Sequence, residues 1–368
     1  MITEHPTIIL LIFLVILAIA GWYHYRTRMK RHLLGEDEFI RGLMAIIEND
    51  FDSAIKFLKS AATKDTSNIT AYLLLGDILR QRGDYEVAKS VHLSLLTRAF
   101  LKPDEKARIH KSLALDFAAE GNFKKALEHI SQAVNLKPDR WSYEFMAEVY
   151  ENLQMWDEAF SALAKIGGDK RVMALYKVKS AEKFFEDDPH KARVILKEAL
   201  KLDPDCVPAM IAIGDAYYSE ERNRDALQWW EKVAVEYPQL APLVLDKIEG
   251  VYYELGEFDR ARILYRKILK TAPESEHIRL RLAQIYEKMG EIDSALQIIN
   301  EAPNETEALA LAKIRYNLMK NQTDRALQLL EDQLAEKSKF KVVCRHCGYK
   351  SEELFLKCPQ CENWNTLV

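Results

Sequence analysis

Two apolar patterns divide the chain. Residues Ile8 to Ala20 are thirteen consecutive apolar residues with no polar face. Beyond them the apolar positions recur in a repeating register, never again as a run. With Gly21, Trp22 and Tyr23 the first stretch reaches about 16 residues, or roughly 24 Å as a helix, short but usable for a bilayer core. Trp22, Tyr23 and Tyr25 stand where an interfacial belt would lie. Arg26, Arg28, Lys30 and Arg31 follow at once, whereas no Lys or Arg precedes the run. A cleaved signal peptide needs the opposite order, and a core helix would show a polar face. The pattern therefore predicts a single-pass anchor over residues 1–25 and a basic juxtamembrane linker over 26–35. Trp22, Tyr23, Arg26, Arg28, Lys30 and Arg31 mark its membrane interface, with the bulk of the chain on the cytoplasmic side.

The rest of the chain up to residue 335 repeats with a period near 34 residues. Nine alanines anchor it: Ala54, Ala88, Ala126, Ala159, Ala192, Ala226, Ala261, Ala295 and Ala326. Their spacings are 34, 38, 33, 33, 34, 35, 34 and 31. Twelve places before the anchors stand Gly42, Gly76, Ala114, Ala147, Ser180, Gly214, Glu249, Ala283 and Ile314, mostly small. Small residues let two antiparallel helices approach closely. Five places before six anchors stand Asn49, Gly83, Gly121, Gly256, Gly290 and Asn321. These types take the left-handed conformation that ends a first helix. Phe51, Tyr85, Phe123, Trp156, Phe258 and Ile292 cover the turns, three places before their anchors. Pro138, Pro204, Pro238 and Pro273, each twelve after an anchor, stop the second helix. The pattern resembles the tetratricopeptide repeat (TPR). It predicts an all-α solenoid of about nine helix-turn-helix units over residues 36–335, weakest at Ala159, Ala192 and Ala326. Such a solenoid buries a core between neighbours and presents a groove that binds peptides or protein surfaces.

The tail over 341–368 carries different chemistry. Cys344-Arg-His-Cys347-Gly348 and Cys358-Pro359-Gln-Cys361 are two C-x₂-C knuckles ten residues apart. That spacing sets four thiolates, Cys344, Cys347, Cys358 and Cys361, around one metal ion. The segment is too short to bury a core of its own, so metal binding would fold it. Zinc and rubredoxin-type iron both use this ligand set. With all four positions taken by protein the site is structural, not hydrolytic. His346 reads as solvated and Cys206 as a buried structural thiol.

Composition narrows the function. The 52 basic residues are balanced by 56 acidic ones, net −4, which argues against a nucleic-acid binder. Only 13 glycines and the absence of G-x-S-x-G, Walker A, H-E-x-x-H and G-x-G-x-x-G motifs argue against an enzyme. His92, His110 and His129 sit singly on predicted helices and read as packing or surface residues.

Anchor, repeat array and knuckles together resemble one family, the lipopolysaccharide assembly protein B (LapB) family, along the whole chain. Gly21-Trp22-Tyr23 with Arg26 is similar to that family's membrane exit. Gly76-Asp77, Arg80-Gln-Arg82-Gly83, Ala88, His92 and Leu95 resemble its second repeat. Cys347-Gly348-Tyr349, Cys358-Pro359, Cys361 and Trp364 resemble its rubredoxin-like domain. Leu356 departs, standing where an aromatic is expected. The resemblance implies a bacterial inner-membrane adaptor that regulates lipopolysaccharide synthesis. Such a protein presents the committed-step lipid A deacetylase to the membrane protease FtsH, and an inner-membrane regulator relieves that degradation. Asp77, Arg80, Arg82, His92 and Trp364 become candidate partner contacts, with an ion pair and a packing histidine as the plainer alternative. A homodimer is one state this reading allows. Two other functions stay open: a membrane-tethered scaffold for envelope enzymes, and an iron-thiolate redox protein. A carboxylate-clamp TPR is less attractive, because no repeat has Asn just after its small residue (Leu43, Asp77 and Leu115 in the first three).

Overall fold

The computed structural model describes residues 6–338, 342–351 and 353–364, without the side chains of 6–13, 15, 27–35, 258 and 336–338. Among the described residues the chain forms eighteen α-helices, one short 3₁₀ turn and a two-stranded sheet. The helices follow the repeat register. All nine anchor alanines fall on the second helix of a pair, and none is more than 7% exposed. Phe51, Tyr85, Phe123, Trp156, Phe258 and Ile292 are each the first residue of such a helix. The helices ahead of Pro138, Pro204, Pro238 and Pro273 end at Leu136, Leu202, Glu236 and Thr271, two residues short of the proline. This is the TPR fold that the spacing predicts.

The turns show why Gly and Asn recur. Asn49, Gly83, Gly121, Gly256, Gly290 and Asn321 all have positive φ, between 58° and 91°. Each donates its N–H three residues back, and the next residue donates five back, as Gly83 to Arg80 and Asp84 to Leu79 do. These bonds satisfy carbonyls the helix end leaves open. Gln154 and Glu221 take the same conformation at the same place, with φ of 58° and 59°, without the sequence advertising it. The turn before Ala192 is the exception. Asp187 is not left-handed there.

Interhelix packing follows a second rule. Sixteen residues after each position of the small-residue register stands a large side chain: Leu58, His92, Ile130, Leu163, Leu196, Trp230, Tyr265, Ile299 and Leu330. A β-carbon on Gly42 would lie 2.9 Å from Leu58 Cδ2, and one on Gly214 only 2.3 Å from Trp230 Nε1. The Trp230 indole N–H donates to the Ile211 carbonyl at 3.3 Å. Where Glu249 replaces the small residue, the incoming ring is Tyr265, whose hydroxyl donates to the Glu249 carboxylate.

Contacts divide the chain into two compact units, Met1–Lys183 with Glu198–Cys206, and Phe184–Lys197 with Val207–Val368. The first unit packs Leu95, Ile109, Leu113 and Ile130 in its core. The second buries Met210, Ile213, Trp230, Leu245, Tyr265 and Tyr286.

Helix α1, Pro6–Ile47, is unbroken over 42 residues and carries the apolar run, the basic flank and the opening helix of the first repeat. Leu14, Ile16, Leu17, Ile19, Trp22, Tyr23 and Tyr25 are exposed along it. The Arg26 guanidinium lies over the Trp22 ring at 5.1 Å. Among the described residues no helix is long and apolar enough to cross a membrane. The side chains of the first half of the run, Ile8 to Phe13, and of Arg28, Lys30 and Arg31 lie outside the described residues.

Candidate functional site

The four tail cysteines come together. Strand β1, Val342–Val343, pairs antiparallel with β2, Lys350–Ser351, and presents the first knuckle between them. The two knuckles have the same backbone wiring. Gly348 N–H donates to Cys344 O and Glu362 N–H to Cys358 O, at 2.8 and 2.9 Å. Cys344 N–H donates to Tyr349 O and Cys358 N–H to Asn363 O, also at 2.8 and 2.9 Å. The residue after each second cysteine is left-handed, Gly348 at φ 75° and Glu362 at φ 56°. Each loop thus turns its two sulfurs toward the other loop.

The sulfur geometry fits a single tetrahedral ion. Cys344 Sγ lies 3.7 Å from Cys361 Sγ, Cys347 Sγ lies 3.6 Å from Cys358 Sγ, and all four are within 4.8 Å of one another. A tetrahedron of thiolates about 2.3 Å from a metal has edges of about 3.8 Å. The Tyr349 N–H pulls the Cys347 thiol down, but burial and the neighbouring sulfurs outweigh it and push the thiol up to about 12. Four thiolates so close repel unless a cation sits among them. The clustered cysteines of this ribbon thus point to a bound metal ion. Cys344 and Cys358 are buried. Asn363 approaches Cys361 Sγ from its amide nitrogen at 3.7 Å, the kind of contact that orients a ligand. Tyr349 packs edge-on against Phe355. Trp364 pairs through its backbone with Lys357 and is 69% exposed; Leu354 and Leu356 are exposed as well. His346 is exposed and Cys206 is buried.

The candidate groove residues of the second repeat separate. Helix α3, Ile69–Gln81, carries Asp77 and Arg80; α4, Tyr85–Leu96, carries His92. His92 is completely buried, with one ring nitrogen 2.5 Å from Asp116 and the other 3.1 Å from the Leu73 carbonyl. Arg80 bridges Asp77 and Asp116, each at 2.8 Å. The result is a chain of polar side chains, Asp77–Arg80–Asp116–His92, that ties the second repeat to α5, Pro103–Ala119, of the third. Arg82 lies outside it, bonded to Asp84 at 2.6 Å and to Asp52 of the first repeat at 3.2 Å. Asp77 also lines a cavity of about 250 Å³ with Leu74, Arg108, Lys111, Leu115 and Trp141.

Asp116 is the member that sequence reasoning missed, though a signal exists. It stands two places after the small residue of its repeat, where most other repeats have an apolar residue such as Ile78, Val149 or Val251. A carboxylate at a core position needs a buried partner. Lys89 is a second such case, buried against the Phe117 ring between Glu86 and Glu120.

Known proteins share these features. The family described as rubredoxin metal binding domain matches residues 343–368. Families described as tetratricopeptide repeat match residues 184–241 and 252–315. Lipopolysaccharide assembly protein B of Escherichia coli strain K12 is 24% identical over 380 residues, covering 98% of this chain and 97% of that protein. The protein of the same name from Haemophilus influenzae is 23% identical over 391 residues, covering 98% and 97%. Among solved structures, that of MamA protein is 17% identical with a TM-score of 0.31, over 57% of this chain and 94% of its own.

Proposed function

Because the chain belongs to the lipopolysaccharide assembly protein B family, we propose that it is an adaptor in lipopolysaccharide synthesis, held at the bacterial inner membrane by residues 1–25 and facing the cytoplasm. It presents the committed-step lipid A deacetylase to the protease FtsH, and an inner-membrane regulator relieves that presentation. The observation that carries this reading is the union, in one chain matched end to end, of an exposed apolar helix, TPR pairs and a four-thiolate ribbon. Physically, an adaptor raises the effective concentration of a client near its protease by holding both on one surface. The helix α1 would meet the protease in the bilayer, and the repeats and ribbon would hold the client.

Cys344, Cys347, Cys358 and Cys361 would hold one ion, zinc or iron. With no open position, it supplies a structural cross-link between the two knuckles. Visible absorption with reversible reduction identifies iron, and a colourless protein with stoichiometric zinc identifies the other metal.

The deciding experiment is the half-life of the deacetylase in the native host with and without this protein. A longer half-life on depletion is the expected result. An unchanged half-life moves the function to a membrane-tethered scaffold with other clients. Exchanging residues 1–25 for an unrelated anchor tests the same division, since a scaffold tolerates the exchange and an adaptor that meets its protease in the membrane does not.

A further inference from the structure

Gly250 lies inside helix α13, Pro242–Glu254, where glycine is less favourable than alanine by about 1 kcal/mol. Packing does not ask for it. A β-carbon there would meet nothing within 4 Å, unlike those on Gly42, Gly76 and Gly214, and its φ is not positive. The equivalent place one residue after the small register is Leu43, Asp77, Leu115, Glu148, Ala181, Asp215, Gln284 and Arg315 in the other repeats. Only here is the side chain missing altogether.

The space it leaves belongs to a trough. A cavity of about 560 Å³ runs from Gly250 and Tyr253 to Ile285, Lys288 and Met289. Another, of about 450 Å³, runs from Gly250 to Asp215, Tyr218 and Lys247. Both are also lined by Asp246, so the two meet over Gly250. They cross α11, Val207–Tyr218, then α13, then α15, Glu276–Lys288. Tyr253 and Tyr218 stand exposed on the walls.

The charges indicate what would lie there. Asp246 and Glu249 are held by Arg281 at 2.5 and 3.3 Å, and Asp215 by Lys247 at 2.5 Å. The Lys288 side chain, in contrast, makes no ion pair or hydrogen bond among the described residues. The trough thus offers a bare apolar seat between two tyrosines and, beside it, an ammonium without a counter-charge.

We propose that this trough binds an extended peptide, seating one bulky apolar side chain against Gly250 and placing a following carboxylate at Lys288. Assigning that peptide to the client rests on the adaptor reading; the binding itself does not.

The test uses the full-length, metal-loaded protein in detergent micelles. The probe is a fluorescein-labelled glycine-serine peptide with one central phenylalanine followed by glutamate. Its controls carry alanine for the phenylalanine or glutamine for the glutamate. The phenylalanine peptide should bind about ten-fold tighter than its alanine control. Gly250→Trp should abolish that preference without lowering the melting temperature, and Gly250→Leu, a smaller plug, should weaken it. Lys288→Glu should remove only the preference for glutamate. Equal binding of the probe to wild type and to both Gly250 variants overturns the proposal, as does equal binding of the phenylalanine and alanine peptides. Failure of the adaptor reading would register elsewhere, as an unchanged client half-life alongside intact peptide preference.

Discussion

The imidazole of His92 fills the space a side chain on Gly76 would need: a β-carbon there would stand 2.2 Å from Nε2. The ring cannot retreat, because it is bonded to Asp116 on one side and Leu73 O on the other. Gly76→Ala should therefore destabilise the protein by about 3 kcal/mol, the upper range for overpacking a core. Gly250→Ala should stabilise it by about 1 kcal/mol, through helix propensity alone. Melting temperatures of the two variants moving the same way would contradict this account.

Asp116 pairs with both the Arg80 guanidinium and the His92 ring in the interior. Removing it leaves Arg80 with Asp77 alone and a buried ring nitrogen of His92 without its partner, and Asp116→Ala should cost about 1–3 kcal/mol. The other repeats put Leu, Ile, Trp or Tyr where His92 stands. A second change, His92→Leu, should then cost much less in the Asp116→Ala background than in wild type. Denaturant unfolding of the double-mutant cycle measures this, and strict additivity would show that the network is not coupled.

The left-handed turns make opposite predictions at different residues. Gln154, Glu221 and Glu362 hold a conformation that costs an ordinary side chain about 1–2 kcal/mol. Glycine at any of the three should raise stability by roughly 1 kcal/mol. Gly83→Ala, at φ 91°, should lower it by a similar amount.

For the ribbon, Cys344→Ser combined with Cys358→Ser should release the metal and unfold residues 341–368. Metal analysis and limited proteolysis of the tail read the two effects separately. Stoichiometric metal retained by that variant would refute the four-thiolate site.

Acid should weaken the third repeat through two histidines whose Nδ1 atoms lie 3.0 Å apart, His110 on α5 and His129 on α6, Phe123–Leu136. Burial lowers His110, with His129 and Lys106 adding to it. Burial also lowers His129, assisted by Lys125 and opposed by Glu128 and Asp116. Both start from an ordinary value of 6.5. Between the lowered folded values and 6.5 the unfolded chain binds more protons, so stability rises with pH through that window. It is fully present above it and lost as pH falls. The melting temperature should drop between pH 7.5 and 5.5, and His110→Asn with His129→Gln should flatten that drop.

The sequence announced whatever depends on residue type at a fixed spacing. Alanine anchors, glycine and asparagine turns and paired cysteines are chosen because few other residues fit, so their spacing carries the fold and the metal ligands. Gln154 and Glu221 gave no such notice. Their conformation is imposed by the two turn hydrogen bonds, not by their side chains. His92 was legible as a packing histidine, but its bond to Asp116 was not, because that partner comes from the next repeat. Gly250 looked like any helix glycine until the space around it was known. The helix α1 also runs through residues 26–35, where the basic cluster suggested a linker. No Pro stands there, and Thr27 and Gly35, residue types that can cap a helix, lie within it.

The matched pairs across each hairpin have a consequence for how such a protein changes over generations. An array of interchangeable repeats can gain or lose a unit by recombination and still close its interfaces. Here the imidazole of His92 and the indole of Trp230 each fit only over a glycine, Gly76 and Gly214, and Glu249 needs the hydroxyl of Tyr265. A crossover inside a hairpin would bring alanine opposite the indole and clash with it, or glutamate opposite isoleucine and bury a lone charge. Viable exchanges are confined to the loops between hairpins, so this chain should lengthen or shorten only by whole, intact units.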